Sequence, residues 1–391
     1  MSTNIMPTYN RKPVWFTKGE GVYLYDNEGN QYLDALCGLA VTSLGHSHPK
    51  ISKTIKDQSE KLIHTSNAFN ITSQERLAKR LCQLTGMENA FFCNSGAESV
   101  EAAIKIARKY GHDKNYKNPK IIVMSNSFHG RTMGAMSVTA NTKSHDFFGP
   151  ILDGMIRVNF NSIDDLKTAL QNHTEISALI LEPVQGEGGI VPCDVSYLKE
   201  VREICTDKQM LLMIDEVQSG FCRTGKWFSY QHSNIKPDVV MVAKALGNGV
   251  PIGACLARDE ASRVLEAGMH GSTFGGNFLS TCVGLTVLDI MRETRLCEHV
   301  NKISKVMQHE LTSRIKPLSS VKDIRVFGMM IGIELKMNCV DLVIKALKKR
   351  LVINVTKDKT IRLLPPLICE EEHVLKIVDI LEQLIQENYE K

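Results

Sequence analysis

The sequence predicts an α/β protein: a large unit built on a mostly parallel sheet covered by helices, plus a smaller α+β unit. Three observations predict it. Short, near-continuous apolar runs recur at residues 90–93, 120–125, 178–182, 211–215, 239–242 and 252–257, as expected of strands buried on both faces. Helical stretches lie between most of them, as crossovers between parallel strands require. Past residue 280 the order changes to a long helix, two strands and a terminal helix.

Taken in order, Gly21-Val22-Tyr23-Leu24-Tyr25-Asp26, the turn Asn27-Glu28-Gly29-Asn30 and Gln31-Tyr32-Leu33-Asp34 read as a β-hairpin. From about residue 72 helix alternates with short apolar strand. After the long helix that starts near residue 280, strands are expected at 331–335 and 361–364. The domain division that follows is 1–60 as a segment contributing to the small domain, 61–280 as the large domain and 281–391 as the small domain. There is no internal repeat, low-complexity tract or Pro/Ser-rich linker.

Composition narrows the function. With 391 residues, 43% hydrophobic and 23% charged, the chain is neither fibrous, disordered nor a disulfide miniprotein. Its 47 Lys and Arg face 43 Asp and Glu and are scattered, which argues against a nucleic-acid surface. Eleven cysteines, with no CxxC among them, read as free thiols in a reducing compartment. The polar opening residues 1–11 are no signal peptide, and apolar runs such as 211–214 are too short to span a bilayer. A soluble, cytoplasmic protein is expected.

In open parallel sheets ligands bind beyond the carboxyl ends of the strands, so the residues there carry the functional reading. Asn94-Ser95-Gly96-Ala97-Glu98 follows a strand and opens a helix, with Ser95 and Glu98 at capping-box spacing. Such a turn either caps the helix or presents N–H groups to an anion such as phosphate. Asp215-Glu216-Val217-Gln218 ends another strand; its aspartate can pair with a cationic ring nitrogen, cap a helix or bind a metal. Lys244, between an apolar strand and a glycine-rich loop, is either solvated or desolvated enough to form a Schiff base with a carbonyl.

Two motifs fail. Gly220-Phe221-Cys222-Arg223-Thr224-Gly225-Lys226 has P-loop spacing, but Trp227 stands where Ser or Thr must bind magnesium and no helix signal follows. Gly45-His46-Ser47-His48-Pro49 has no third ligand at useful spacing, so it reads as a polar turn. No metal site is expected.

Taken together, in this order, these pieces resemble the class III aminotransferases, the ω-amino branch of pyridoxal-phosphate enzymes. The resemblance runs from Gly19-Glu20-Gly21 and Leu44-Gly45-His46-Ser47-His48-Pro49 through Ser127-Phe128-His129-Gly130-Arg131 and Glu182-Pro183-Val184-Gln185-Gly186-Glu187-Gly188-Gly189. It continues through Arg223-Thr224-Gly225 and Gly271-Ser272-Thr273-Phe274-Gly275-Gly276-Asn277 to Arg362-Leu363-Leu364-Pro365-Pro366-Leu367. Within the class, length and motifs look most like the acetylornithine-type members.

The resemblance implies a fold type I transferase with pyridoxal 5'-phosphate as cofactor. It implies that Lys244 holds the cofactor, Asp215 pairs with its ring nitrogen and Gln218 bonds its ring hydroxyl. Glu216 joins the cofactor-binding set. Val217 and Phe128 would flank the ring, and N–H groups of Gly96 and Ala97 would hold the phosphate. Thr273 would reach the phosphate of a second subunit, which makes a homodimer with shared active sites. Arg131 would clamp a substrate carboxylate with Ser272 nearby, and Glu187 with Arg362 would form a switch pair. One departure is visible at Glu98-Ser99-Val100-Glu101, where the family has Ala and Asn in the middle; those side chains should point away from the phosphate and affect local packing only. The implied reaction is ping-pong transfer of the δ-amino group of N2-acetylornithine to 2-oxoglutarate, giving N-acetylglutamate semialdehyde and glutamate, as in arginine biosynthesis. The alternatives are another ω-aminotransferase, acting on ornithine, succinylornithine, 4-aminobutyrate or a diamine, or a mutase or racemase of the same fold.

Overall fold

A computed structural model describes residues 4–140 and 146–390; the first three residues of the polar N-terminal stretch lie outside them. Seventeen strands are present among the described residues: β1 (Phe16–Glu20), β2 (Tyr23–Asp26), β3 (Gln31–Asp34), β4 (Asn89–Cys93), β5 (Lys120–Met124), β6 (Met155–Val158), β7 (Ile176–Leu181), β8 (Val184–Gln185), β9 (Val191–Pro192), β10 (Leu211–Asp215), β11 (Val239–Val242), β12 (Gly253–Ala257), β13 (Val321–Phe327), β14 (Met330–Leu335), β15 (Leu351–Val352), β16 (Asn354–Thr356) and β17 (Thr360–Leu363).

Seven of them form the central sheet, in the order β4-β12-β11-β10-β7-β5-β6. All its pairings are parallel except those of β12, which runs antiparallel to both β11 and β4. The six predicted apolar runs are all in this sheet; the edge strand β6, half-exposed and short, carries no such run. Alternation along the inner strands sends side chains to opposite faces. Leu212, Ile214, Val240 and Val242 enter one core, whereas Leu211, Met213, Val239 and Met241 enter the other, beneath Val100, Ile104 and Ala107 of the Gly96–Asp113 helix.

The Phe278–Glu293 helix, capped by the Asn277 carboxamide on the Ser280 N–H at 3.0 Å, leads out of the central sheet. Beyond it lie the Leu296–Glu310 helix, the antiparallel sheet β13-β14-β17-β16 and the terminal Glu371–Tyr389 helix. The predicted hairpin is present as β2 and β3, extended by β1, and β3 pairs in parallel with β15. The chain's start therefore adds its sheet to the C-terminal part. This architecture is the predicted one, a mostly parallel sheet covered by helices with a smaller α+β portion.

The rejected motifs are structural. His46 Nε2 lies 2.8 Å from Asp34 Oδ2, and His48 caps the Pro49–Ser59 helix. Arg223 is buried and donates to the carbonyls of Met329 and Pro365 and to Ser43 Oγ. Among the described residues no group of three or more His, Cys, Asp or Glu side chains could hold a metal, and no helix is long and apolar enough to cross a membrane.

Candidate active site

Because β4, β5, β7, β10 and β11 all point the same way, their carboxyl ends converge on one edge of the sheet. A cavity of about 590 Å³ opens there, lined by Gly96 and Ala97 after β4, Phe128 and Arg131 after β5, Asp215, Val217 and Gln218 from β10 onward, and Lys244 after β11. The reversal of β12 brings Val250 and Ile252, which precede it, to the same wall. Eight residues expected at the site thus share one cavity.

Lys244 opens a short 3₁₀ turn in the left-handed region, φ 46°. A side-chain-bearing residue pays strain of order 1–3 kcal/mol in such a sparsely populated conformation, and residues of this kind cluster at functional sites. Desolvation holds its amine below the usual lysine range, against the opposing charge of Asp215.

Asp215 is buried, with both carboxylate oxygens engaged: Oδ1 accepts the Val217 N–H at 3.0 Å, and Oδ2 lies 2.7 Å from His129 Nδ1. Burial lowers the His129 pKa, but its hydrogen bond and charge interaction with Asp215, with help from Glu182, leave it raised overall. Glu182 follows β7, accepts the Phe128 N–H at 2.9 Å, and is pushed by burial to about 7. His129 and Glu182, which also line the cavity, therefore fix Asp215 and the Phe128 backbone.

Backbones approach closely here. A Cβ on Gly130, where φ is 140°, would stand 2.9 Å from the Ala97 and Ala135 Cβ atoms, so only glycine lets the loop after β5 cross the first turn of the Gly96–Asp113 helix. That 18-residue helix is capped by Ser95 Oγ, which accepts the Glu98 N–H at 3.2 Å. Glu98 does not close the box on Ser95; its Oε2 accepts the N–H of Asn94 at 2.6 Å. Ser99 and Val100 are buried, and Glu101 accepts the Ala135 N–H at 3.1 Å in the first turn of the Met133–Val138 helix. The departure from the family pattern thus serves local packing.

Outside the cavity's lining, but close enough for the charges of both to act on Lys244, Arg362 of β17 is buried and donates through Nη1 to Glu187 Oε1 at 2.6 Å. Asn354 Oδ1 accepts from its Nε at 3.2 Å and Nη2 at 2.9 Å. Arg131 is exposed, its guanidinium carbon 5.3 Å from the Phe128 ring centroid. Ser272 accepts from Asn94 Nδ2 at 3.2 Å, and Thr273 is exposed and does not line this chain's cavity.

One expectation needs correction. The Glu216 side chain does not face the cavity: strand alternation turns it into the interior, where it accepts the Tyr230 N–H and the Ser219 hydroxyl, at 2.8 and 2.7 Å. His129, Glu182 and Asn354 had no role assigned from sequence. The first two stand inside quoted motifs, but nothing in the order of residues signals contacts to partners 86 and 54 positions away.

Comparison with known proteins gives a consistent result. The sequence model of "Aminotransferase class-III" matches residues 5–385. The chain is 49% identical to the acetylornithine aminotransferase of Nitrosomonas europaea, with 98% of each chain covered, and 45% identical to that of Aquifex aeolicus, covering 98% of this chain and 100% of the relative. Among solved structures, the acetylornithine aminotransferase of Elizabethkingia anophelis superposes with a TM-score of 0.88 at 32% identity, covering 98% of this chain and 96% of that one. The ornithine aminotransferase of Toxoplasma gondii ME49 gives 0.92 at 31%, covering 98% and 94%. With the match spanning every sheet and every strand end that faces the cavity, the chain belongs to the class III aminotransferases.

Proposed function

We propose that the protein is a pyridoxal 5'-phosphate-dependent acetylornithine aminotransferase, moving the δ-amino group of N2-acetylornithine to 2-oxoglutarate. The observation that carries this reading is the meeting of Lys244 and buried Asp215 in one cavity within a chain 49% identical to an acetylornithine aminotransferase over 98% of its length. The cavity's chemistry fits the cofactor. Gln218 Oε1 is buried and has no hydrogen-bond partner among the described residues, which suits it to accept from a ring hydroxyl. Gly96 and Ala97 begin a helix whose first N–H groups have no helical acceptor and suit a phosphate. Phe128 and Val217 offer two apolar faces for a ring, and Asp215 offers a carboxylate for a protonated ring nitrogen.

The bound cofactor supplies a carbonyl for an amine and an electron sink for the carbon that loses its proton. Lys244 Nζ, kept from strong protonation by burial, accepts that proton and returns one during the same half-reaction. His129 and the Val217 N–H hold Asp215 in place while it keeps the ring nitrogen charged. Arg131 binds the substrate carboxylate. Glu187 neutralises Arg362 while the amino donor is bound and leaves it when the oxo acid brings a second carboxylate; Asn354 keeps the guanidinium aimed throughout.

A homodimer belongs to the same proposal, in which Thr273 reaches the site of a second subunit; its exposure and its absence from its own chain's cavity lining support that reading. So does the division into 61–280 as the cofactor-holding unit and 281–391 with 1–60 as the smaller one, supported by the β3–β15 pairing. A cytoplasmic location accords with eleven free thiols. A second reading, ornithine as donor, draws on the fold similarity to the Toxoplasma gondii enzyme.

The cofactor assignment is tested by reducing the cofactor-loaded protein with borohydride and mapping its peptides. The account expects the cofactor's mass on the peptide containing Lys244; its appearance on another lysine, or none, overturns the assignment.

A further inference from the structure

Away from the cavity, two cysteines 75 positions apart meet with their sulfurs 3.0 Å from each other. Cys222 is buried in the turn that follows Gln218, with φ 68°, and Cys297 is half-buried in the first turn of the Leu296–Glu310 helix. Turn and helix are already docked around the pair: Asn301, on the same helix, donates from Nδ2 to the Gly225 carbonyl at 2.9 Å, and a Cβ on Gly225 would strike that carboxamide at 2.0 Å. A disulfide needs sulfurs about 2.05 Å apart, so the bond requires an approach of roughly 1 Å between groups the fold already holds together.

We propose that Cys222 and Cys297 form a redox modification site, a dithiol that a hydroperoxide converts reversibly to a disulfide. The two sulfurs have unlike roles. Cys297, the more accessible, has its thiolate favoured by the Cys222 thiol beside it, whereas the hydrogen bond with Cys297, then burial and that neighbour's charge, disfavour ionisation of Cys222. The Cys297 thiolate attacks the O–O bond; an S–O bond forms, the O–O bond breaks, and water or an alcohol leaves once protonated. The sulfur is oxidised to a sulfenic acid by two electrons and the peroxide is reduced. The Cys222 thiol then attacks that sulfur, forming S–S, breaking S–O and releasing water. A dithiol reverses the link through two thiol–disulfide exchanges. The link would tie the Gly220–Gly225 turn, whose Arg223 holds Met329, Pro365 and Ser43, covalently to the Leu296–Glu310 helix.

The test treats the full-length protein with hydrogen peroxide, alkylates remaining thiols in denaturant and maps peptides by mass spectrometry. Two fewer alkylated cysteines than the chain's eleven, a single cross-linked peptide joining Cys222 to Cys297, and recovery of both thiols with dithiothreitol are expected. Because Cys222 is buried, the companion variant is Cys297→Ser, which should show no cross-link and no paired loss of thiols under the same treatment. Full alkylation of treated wild-type protein, accumulation of sulfinate at Cys297 without a cross-link, or a disulfide between other cysteines would overturn the proposal.

Discussion

Replacing Glu187 with Gln isolates the proposed switch. Glu187 and Arg362 meet at 2.6 Å, with the arginine side chain 2% exposed and the glutamate 36% exposed. The variant keeps the shape but turns a charge-assisted hydrogen bond, about 1.5–3 kcal/mol, into a neutral one of about 0.5–1.5 kcal/mol. The loss of about 1–2 kcal/mol corresponds to roughly 5- to 30-fold in a rate constant. Exposure of Glu187 screens the charge, so the lower part, about 5- to 10-fold, is expected. Asn354 still holds Nε and Nη2, so the guanidinium stays in place with Nη1 held only by a neutral acceptor that an incoming carboxylate displaces more easily. The ratio of glutamate to acetylornithine single-turnover rate constants, followed by cofactor absorbance, should therefore rise about 5- to 10-fold. Equal effects on both half-reactions would leave Glu187 a turn residue with no part in substrate choice.

Three further outcomes follow from the same geometry. Asp215→Asn removes the charge that would hold a ring proton and should lower kcat about 100-fold, about 2.7 kcal/mol; steady-state rates within a factor of three of wild type would contradict it. Burial raises the Glu216 pKa from 4.5 to about 7, so its contribution to stability is fully present below about 4.5 and is lost as pH rises through about 7, by about 3 kcal/mol. Denaturant midpoints at pH 5 and pH 8 should then differ less in Glu216→Gln than in wild type, and parallel slopes would refute the argument. Mixing Lys244→Ala with Thr273→Ala protein should raise activity above the average of the two, because a mixed dimer has one complete site; a fully active monomer in sedimentation would exclude shared sites.

What could be read from sequence follows burial. Strands β7, β10, β11 and β12 are buried along their whole length, and such strands announce themselves as apolar runs. Strand β1 is mostly exposed, β6 and β13 are half-exposed, none of them carries a run, and the two-residue β15 is too short to show one. The cavity residues were legible because strand ends place chemistry at fixed points in the chain. Glu216 was misplaced because a motif of consecutive residues hides the alternation that turns every second side chain inward. Asn354 lacked any signal: its meaning exists only across the β16–β17 pairing, which sets it opposite Arg362.

The central claim is tested most directly by measuring kcat/KM side by side for N2-acetylornithine, N2-succinylornithine, ornithine and 4-aminobutyrate, with 2-oxoglutarate as acceptor and glutamate quantified as product. The account predicts the highest value for N2-acetylornithine and no sustained turnover when 2-oxoglutarate is omitted. A higher value for ornithine or 4-aminobutyrate, or turnover that continues without an oxo acid, would contradict it.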